Sequence, residues 1–498
     1  MPPTHDLRLL LAILAPLIGA GLVMAFGKRP NARETCSFLA AGTLFALVAS
    51  MVPAILNHQQ LHFTVFQLFA PHAGRADGLS IALRADALSM VFALSASFLW
   101  VVTVFYSAGY MRGLEEHAQT RFNTCFALAL FGAVGCAFSD NLLTLYLFYE
   151  IVSICTYPLV AHHQDEEGYE SGKKYLTYLT ATAKGLVLPA MVVIYVFSGT
   201  LDFAHNIHTG IIPAGLHHGL IAALYACCIL GFAKNAVMPF HNWLPSAMVA
   251  PTPVSALLHA VAVVKVGVFS TVRVMLYVFG TDLMHHLNLG LPTAYFVSFT
   301  IIVGSIVALS KDDLKARLAY STVSQLSYVI LGVALLSDAG IQGGVIHIAN
   351  HAFSKITLFF CAGAIYVATR KKKISEMSGL GRVMPFTFGA FALASLSMIG
   401  APPVAGFVTK WYLLNGAWDA HQIGIIVVLL FSTLLNAAYF APVVYQGFFG
   451  KPSAADENHN YREAHPAMVI PLTVTAAISV LIGLYPNFLM NFVKNLIA

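Results

Sequence analysis

Long apolar segments alternate with short polar segments along almost the whole chain. Windows of roughly 20 apolar residues recur, and this is the length that a helix needs to cross the hydrocarbon core of a bilayer. Residues 58–85 alternate between apolar and polar types instead, and we expect a short extracellular β-hairpin that turns at Gly74 to Gly78. The apolar pattern predicts fourteen membrane-spanning helices, numbered one to fourteen, at about residues 7–26, 35–55, 86–108, 122–139, 141–162, 175–197, 218–236, 253–279, 292–310, 316–336, 340–369, 385–416, 422–448 and 466–493.

Two of these helices are interrupted by prolines. Residues 231–265 read GFAKNAVMPFHNWLPSAMVAPTPVSALLHAVAVVK, and a proline inside a helix removes a hydrogen bond and clashes with the preceding turn. We therefore expect helix seven to break around Pro239 and the chain to become helical again near Pro253. Helix twelve is interrupted in the same way by residues 399–407, IGAPPVAGF. Broken backbone at membrane depth is tolerated only where protein or a water-filled cavity covers it, so both breaks indicate sites of function.

Interrupted helices at corresponding places in two halves of a chain are typical of transporters built from inverted repeats. The fold class that follows is an all-α integral membrane protein of about fourteen transmembrane helices, with two inverted five-helix repeats and discontinuous helices seven and twelve. We expect residues 1–121 to hold helices one to three and the hairpin. Residues 122–280 would form the first repeat, 281–450 the second, and 451–498 the last helix.

Composition supports this fold class and the placement of basic residues predicts its orientation. Hydrophobic residues make up 58% of the chain and charged residues only 10%, whereas soluble domains carry about 25% charged residues. Loops after odd-numbered helices hold 17 lysines and arginines, and loops after even-numbered helices hold only Arg75 and Arg84. The positive-inside rule then places the odd loops in the cytoplasm and both termini outside.

The seven cysteines predict no special chemistry. All of them fall inside apolar segments, and no two form a CxxC pair. We interpret them as small buried hydrophobic residues, and they form neither a disulfide framework nor a cluster site.

Helices five and six each carry one charged residue well inside the apolar segment. Glu150 lies about nine residues into helix five, or roughly 14 Å along its axis. An ionised group near the middle of a membrane is costly and marks an ion pathway or a paired partner. The alternative is a structural acid held by hydroxyl groups such as that of Tyr146. Lys184 lies in the middle of helix six, and we expect it to face the protein interior.

Helices seven and eight contribute Lys234, His259 and Lys265 beside the first break. His259 and Lys265 are six residues apart, about 240° around a regular helix, so we expect them not to share one face. They can then serve successive points of a winding route.

Helix eleven carries a second group of titratable residues. His347, His351 and Lys355 are spaced at i, i+4 and i+8, which places them on one stripe. Two histidines four apart also occur in metal sites, but no carboxylate lies nearby in sequence. A haem site would need opposed histidines on facing helices. We favour a hydrated proton relay, because histidine titrates near neutral pH.

The loop after helix five is a further candidate for metal binding. It reads HHQDEEGYESGKK and contains potential metal ligands, but a solvated cytoplasmic loop explains the same composition without a metal ion. We interpret it as such a loop and assign no metal site. The potential ligands are His162, His163, Asp165, Glu166 and Glu167.

Four motifs resemble the proton-conducting, antiporter-like subunits of respiratory complex I and of Mrp-type sodium/proton antiporters. They are GFAKNAVMPFHNWLPSAMVAPTPVSALLHA, DDLKARLAYSTVSQLSY, HIANHAFSKITLFFCAG and MIGAPPVAGFVTKW, in the order of that family. The resemblance covers about residues 80 to 450. VVKVGVFSTVRV and LLNAAYFAPVVYQGFF are most similar to Mrp D-type subunits and to hydrogenase-type membrane arms.

Lys410 follows the second break in GFVTK, as Lys234 lies in GFAK at the first, and the resemblance implies that it is the family's helix-twelve lysine. The sequence departs from the family at Tyr149, where a tryptophan is usual, and at Ser246 and Val249, where two acidic residues are common. The residues expected to carry ion transfer are Glu150, Lys234, His259, Lys265, His347, His351, Lys355 and Lys410.

The function expected from these residues and this resemblance is proton translocation within a multisubunit membrane complex. No cofactor is expected in this chain, because it carries no nucleotide loop, cysteine cluster or nicotinamide or flavin fingerprint. The resemblance implies partners among antiporter-like paralogues, small membrane subunits and a soluble redox arm, and a place in the plasma (inner) membrane of a prokaryote. The transported ion would be H⁺, alone or with Na⁺, and no nucleic acid is involved.

Two alternatives stay open at this point. One is a subunit of a secondary Na⁺(K⁺)/H⁺ antiporter without a redox partner, in which Glu150 helps to bind the cation. The other is a quinone- or haem-binding electron-transfer subunit that uses His259, His347 or His351.

Overall fold

The computed structural model describes residues 4–69, 78–213, 215–451 and 461–497. Within these residues, eleven helices are long and apolar enough to cross a membrane, and two shorter apolar helices accompany them. Helices α1 to α11 follow the predicted helices one to eleven in order. The main helices are α1 (Arg8–Ala25), α2 (Pro30–Leu56), α3 (Ala87–Gly113), α4 (Gln119–Ala137), α5 (Leu142–Val160), α6 (Glu166–Ser198), α7 (His218–Gly231), α8 (Thr252–Phe279), α9 (Gly290–Ser310), α10 (Leu314–Ala334), α11 (Asp338–Thr369), α12 (Pro385–Ile399), α13 (Ala405–Asp419), α14 (Ile423–Phe449), α15 (Pro466–Leu484) and α16 (Asn487–Ile497).

The first break begins earlier than the prolines predict. Helix α7 ends at Gly231, and Lys234 lies in the 3₁₀ turn Ala233–Asn235 that follows. Ala236 then adopts a left-handed conformation with φ of 56°, which stops the turn from continuing. The Asn235 side chain donates to the carbonyl of Ile229 at 3.0 Å and satisfies one of the last acceptors of α7. A short helix, Trp243–Ser246, and a 3₁₀ turn, Ala247–Val249, lead to α8.

The second break lies where the sequence places it. Helix α12 ends at Ile399, Gly400 follows with φ of +90°, and α13 begins at Ala405. A positive φ of this size favours glycine, because a Cβ atom would clash with the backbone.

Three π-helical turns interrupt the regular geometry of two long helices. One lies at Ala183–Val187 in α6, and two lie at Leu257–Val261 and Met275–Phe279 in α8. Such turns are rare, and many of those that occur are found at functional sites. Because each turn holds more residues than an α-helical turn, side chains beyond it point away from the direction that a regular helix gives.

Three strands form a small sheet beside the helices. Strands β2 (Leu61–Phe69) and β3 (Leu79–Ala85) pair antiparallel, and β1 (Thr4–His5) pairs parallel with β2. The predicted hairpin strands are therefore present, while the turn around Gly74 lies outside the described residues.

Helices α8 and α11 form the centre of the bundle. The apolar window of α8 is completely buried, and that of α11 is 83% buried. Helix α11 packs against α3, α8, α10, α12, α13 and α15. The outer helices α2, α14 and α15 are only about one third buried. The histidines and lysines of α8 and α11, His259, Lys265, His347, His351 and Lys355, are thus enclosed by protein.

A buried ion-pair cluster ties α3, α8 and the sheet together at one end of the bundle. Asp86 caps α3, and it also binds the guanidinium group of Arg273 on α8. Nε of Arg84 lies 3.5 Å from Oδ2 of Asp86 and 3.2 Å from Oδ1 of Asp140. Two guanidinium groups thus lie beside the buried carboxylate of Asp86.

Candidate proton-transfer site

Lys234 is held by the first break and by one face of α5. Its ammonium group donates to the carbonyl of Tyr149 at 2.8 Å and to Oγ of Ser153 at 2.7 Å. The same nitrogen lies 3.1 Å from the centre of the Tyr149 ring, and the whole residue is buried. The backbone N–H of Lys234 also donates to the Tyr149 hydroxyl at 3.1 Å. A cation–π contact and two oxygen acceptors replace the water that burial removes.

Glu150 lies close to this lysine without pairing with it. No ion pair within 4.0 Å joins the two in the part of the chain that the structure describes, and Oε1 of Glu150 is buried without a hydrogen-bond partner. Its electrostatic partners are Lys234 and Lys184. The Tyr146 hydroxyl does not bond to this buried oxygen, so the structural alternative based on that hydroxyl receives no support. Among the described residues, the carboxylate therefore forms an ion pair with neither lysine.

The expectation that Lys184 faces the protein interior is wrong. Lys184 is exposed on the outer surface of α6. It is the second residue of the π-helical turn Ala183–Val187, so its direction does not follow from its position in a regular helix. Glu150 is itself only half-buried, and the α5–α6 flank of the bundle therefore presents two ionisable groups outwards.

The centre of the bundle contains a direct hydrogen bond between a lysine and a histidine. Nζ of Lys265 on α8 lies 2.8 Å from Nδ1 of His351 on α11, and both residues are buried. One partner must donate and the other accept, so this geometry fits a lysine ammonium beside a neutral imidazole. The second nitrogen of the His351 ring has no hydrogen-bond partner. A proton passed from the ammonium group to the imidazole leaves a neutral amine and an imidazolium ion, so the total charge of the pair is unchanged.

The expectation that His259 and Lys265 cannot share a face is also wrong. Both contact α11, because the ring of His259 lies 4.7 Å from that of Phe359 while Lys265 bonds to His351. His259 lies within the π-helical turn Leu257–Val261, which changes the rotation per residue between His259 and Lys265. Neither ring nitrogen of His259 has a hydrogen-bond partner.

The predicted stripe on α11 is present and reaches three neighbouring helices. The rings of His347 and His351 lie 5.6 Å apart. His347 Nδ1 lies 3.2 Å from Oγ1 of Thr409 on α13. Lys355 donates to Oγ of Ser321 on α10 at 2.9 Å. The stripe thus contacts α8, α10 and α13 at successive turns.

Lys410 lies at the second break. Its ammonium group donates to the carbonyl of Ile399, the last residue of α12, and to Oγ1 of Thr433 on α14, both at 2.7 Å. The residue before it, Thr409, is the hydroxyl partner of His347. The α11 stripe and the second break therefore meet at this threonine.

The buried lysines described above share one feature. Carbonyl, hydroxyl and imidazole groups bind their ammonium groups, and carboxylates do not. Among the described residues, no acid lies within ion-pair distance of Lys234, Lys265, Lys355 or Lys410. A buried charge without an opposite charge is costly and easily neutralised. Such lysines are suited to lose and regain a proton.

The arrangement of the histidines favours proton transfer over a haem site. His347 and His351 lie on one helix, and His351 is already bonded to Lys265. The ring of His259 packs against that of Phe359. The opposed pair that a haem site requires is not formed by these three residues.

Several functional side chains were not identified from the sequence. They are hydroxyl partners of two ammonium groups and of His347: Ser153, Thr409 and Thr433. One signal was available for Ser153, because it follows Tyr149 by four residues on α5 and therefore shares its face.

Comparison with known proteins agrees with this fold. Residues 139–436 match the family described as NADH:quinone oxidoreductase/Mrp antiporter, transmembrane. NADH-quinone oxidoreductase subunit N of Desulforudis audaxviator is 31% identical over 81% of this chain and 82% of its own length. Subunit L of the same enzyme from Mycobacterium tuberculosis is 31% identical over 96% of this chain and 75% of its own length. A component of a probable K⁺/H⁺ antiporter of Rhizobium meliloti is 28% identical over 95% of this chain, and the chain spans 46% of its length.

Two solved complexes contain chains of the same fold. One is the Mrp complex from Dietzia, with a TM-score of 0.86 and 22% identity over 98% of this chain and 96% of that chain. The other is the membrane-bound sulfane sulfur reductase, an archaeal respiratory membrane complex, with a TM-score of 0.85 and 22% identity over 99% and 98%. Fold, buried lysines and sequence agree, and the chain belongs to the NADH:quinone oxidoreductase/Mrp antiporter transmembrane family.

Proposed function

We propose that this chain is a proton-translocating membrane component of a multisubunit complex. The observation that carries the proposal is the Lys265–His351 hydrogen bond of 2.8 Å, which places two proton acceptors in contact at the buried centre of the bundle. The route begins at Glu150 and Lys234, continues through the α8–α11 centre and ends at Lys410. His259 and Lys355 flank the central pair and supply further proton acceptors.

The first step depends on the separation of Glu150 and Lys234. The structure holds the two groups apart, with Lys234 bonded to Tyr149 and Ser153 instead. Bringing two unit charges from about 8 Å to about 4 Å at an effective dielectric constant near 20 changes their interaction by about 2 kcal/mol. This exceeds the roughly 1.4 kcal/mol that corresponds to a tenfold change in proton affinity. Closure of the pair keeps the proton on the lysine, and opening releases it.

The α5–α6 flank is suited to contact with a neighbouring membrane protein. Lys184 is exposed there and Glu150 is half-buried. Charged groups in the middle of a membrane rarely face lipid and almost always face protein or water. We infer that another membrane component of the complex covers this flank and supplies polar groups to it. The solved complexes of the same fold are multisubunit assemblies, which agrees with this inference.

The topology follows from the distribution of basic residues. We infer that loops after odd-numbered predicted helices face the cytoplasm of a prokaryotic cell, with both termini outside. The two interrupted helices would then belong to inverted repeats at residues 122–280 and 281–450.

A second candidate function is exchange of Na⁺ or K⁺ for protons without a redox partner. The observation in its favour is the buried Oε1 of Glu150, which has no hydrogen-bond partner and is the kind of oxygen that binds alkali cations. Dependence of proton movement on added Na⁺ or K⁺, and its loss in the variant Glu150→Gln, would select this candidate.

The proposal is tested on the native complex, purified in mild detergent and reconstituted in vesicles. Glu150→Gln and Lys234→Ala should abolish proton movement, while Lys173→Ala, which changes an exposed lysine of α6, should leave it intact. Mass spectrometry of the co-purifying subunits checks that each variant still assembles, and it identifies the partners. Redox subunits would support the pump, and antiporter-like relatives alone would support the exchanger. Full activity of assembled Glu150→Gln and Lys234→Ala complexes would refute both functions.

A further inference from the structure

Two loops at one end of the bundle bring three potential metal ligands together. Glu116 and His117 lie between α3 and α4, and His162 lies between α5 and α6. One ligand atom from each residue can be chosen so that all three lie within 4.8 Å of one another. The rings of His117 and His162 are 4.8 Å apart, centre to centre. Residues from two separate loops thus form one compact group.

His162 is the residue that requires an explanation. Its side chain is fully buried, and neither ring nitrogen has a hydrogen-bond partner. Buried polar atoms without partners are uncommon, because each loses its bonds to water and gains nothing in return. Nε2 of this ring lies 3.8 Å from Oε2 of Glu116, so it points at the carboxylate from beyond hydrogen-bonding distance. A cation between the two atoms would satisfy both.

A fourth ligand is available from the neighbouring histidine. Nδ1 of His163 lies 3.8 Å from the same Glu116 oxygen. Three imidazoles and one carboxylate are a ligand set that suits Zn²⁺, which binds such groups in tetrahedral geometry at about 2.0 to 2.2 Å. Ligand atoms on such a tetrahedron are about 3.3 Å apart. The ligand atoms of Glu116, His117 and His162 must therefore move closer together by up to about 1.5 Å. The exposed side chains of His117 and His163 are able to move.

The acidic residues of the second loop do not belong to this group. Asp165 caps α6 by accepting from the backbone N–H of Gly168 at 2.8 Å, and Glu166 and Glu167 lie in the first turn of that helix. The guanidinium group of Arg121 donates to the carbonyl of His162 at 2.8 Å, which fixes the loop through its backbone. The carboxylate comes instead from the loop between α3 and α4, and no local pattern in the sequence connects the two loops.

The group is accessible to an ion from solution. Glu116 and His163 also line a cavity of about 600 Å³, which extends to Thr252 at the start of α8 and to Lys315 on α10. We propose that Glu116, His117, His162 and His163 form a binding site for one Zn²⁺ ion. The site connects the α3–α4 loop with the α5–α6 loop and is separate from the residues of the proposed proton route.

The test measures metal bound to the complete complex. The complex is purified through an affinity tag without histidines, depleted of metal with a chelator, incubated with ZnCl₂ and passed through a desalting column. Elemental analysis should then find one zinc per chain, and Co²⁺ in place of Zn²⁺ should give the visible absorption of a tetrahedral site. His117→Ala and Glu116→Gln should each weaken zinc binding by at least about tenfold.

The control is His205→Ala, which removes an exposed histidine from another loop and should leave zinc binding unchanged. His117 is exposed, so its replacement is not expected to prevent folding, and no variant of the buried His162 is needed. Absence of stoichiometric zinc from the unsubstituted complex would overturn the proposal. So would zinc binding that His117→Ala and Glu116→Gln leave as strong as before.

Discussion

Replacing Ser153 by alanine isolates one of the two oxygen contacts that stabilise the Lys234 ammonium group. That group donates to Ser153 at 2.7 Å and to the Tyr149 carbonyl at 2.8 Å, so the substitution leaves one acceptor and the aromatic ring. A hydrogen bond to a charged group contributes about 1.5 to 3 kcal/mol. At about 1.36 kcal/mol for each factor of ten, the ammonium form loses about 10- to 150-fold in population relative to the neutral amine.

The consequence is a change in the pH dependence of proton movement. The proton is held less strongly at Lys234 in Ser153→Ala, so transport should be lost at a lower pH than in the unsubstituted complex. The alkaline limb of the pH profile should move down by at least about one pH unit. The assay is proton uptake into vesicles that contain the native complex, followed with a dye sensitive to the pH gradient at a series of pH values. The complex is driven by its own reaction or cation gradient.

A matched control is available in Ser305→Ala. Ser305 is also buried, but its hydroxyl bonds to Ser324 and to the carbonyl of Ile301, where α9 packs on α10. Its replacement should leave the pH profile unchanged. Identical profiles for Ser153→Ala, Ser305→Ala and the unsubstituted complex would refute the reasoning, since Ser153 would then have no effect on where the proton resides.

Two further substitutions test the packing around the site. Asp86→Asn leaves the buried guanidinium group of Arg273 without its carboxylate, and loss of one partner of a buried pair destabilises by about 3 to 5 kcal/mol. The midpoint of thermal unfolding in detergent should fall, and an unchanged midpoint would contradict the assigned pairing. A Cβ atom on Gly267 would collide with the backbone of Lys234, so Gly267→Ala should displace the lysine and reduce proton movement in assembled complexes. A Cβ atom on Gly185 would meet open space, so Gly185→Ala should leave proton movement unchanged in the same assay.

The prolines predicted both helix breaks, but they predicted the end of the preceding helix correctly only at the second break. At the second break, Gly400 and two adjacent prolines leave no other place for α12 to end. At the first, the helix stops at Gly231, well before Pro239. A proline marks a residue that cannot continue a helix, whereas the actual end also depends on tertiary bonds such as that of Asn235, which sequence does not display.

The stripe on α11 followed from helical spacing, but its partners did not. The contact of Lys265 with His351 depends on which helix packs across from α11 and at what height. Helical periodicity describes one helix and contains no information about its neighbour. The π-helical turns add a second uncertainty, because they rotate His259 onto the face that Lys265 uses and leave Lys184 on the outer surface.

Local sequence patterns did not identify the proposed zinc ligands, because these come from two separate loops. His162 was recognised as a potential metal ligand, but it was grouped with Asp165, which is close in sequence and instead caps a helix. Glu116 lies in a different loop, and only the packing of α3, α4 and α5 brings it near. Sequence neighbourhood is a poor guide wherever a site is assembled from turns.

The hydrogen bond between Lys410 and the end of α12 couples the charge of Lys410 to the backbone at the second break. The ammonium group holds the carbonyl of Ile399 at 2.7 Å, and a charge-assisted hydrogen bond is roughly twice as strong as a neutral one. Departure of the proton therefore weakens the attachment of α13 to the terminal carbonyl of α12. If protons pass Lys410 as proposed, each one would change how firmly α12 and α13 are held together at the second break.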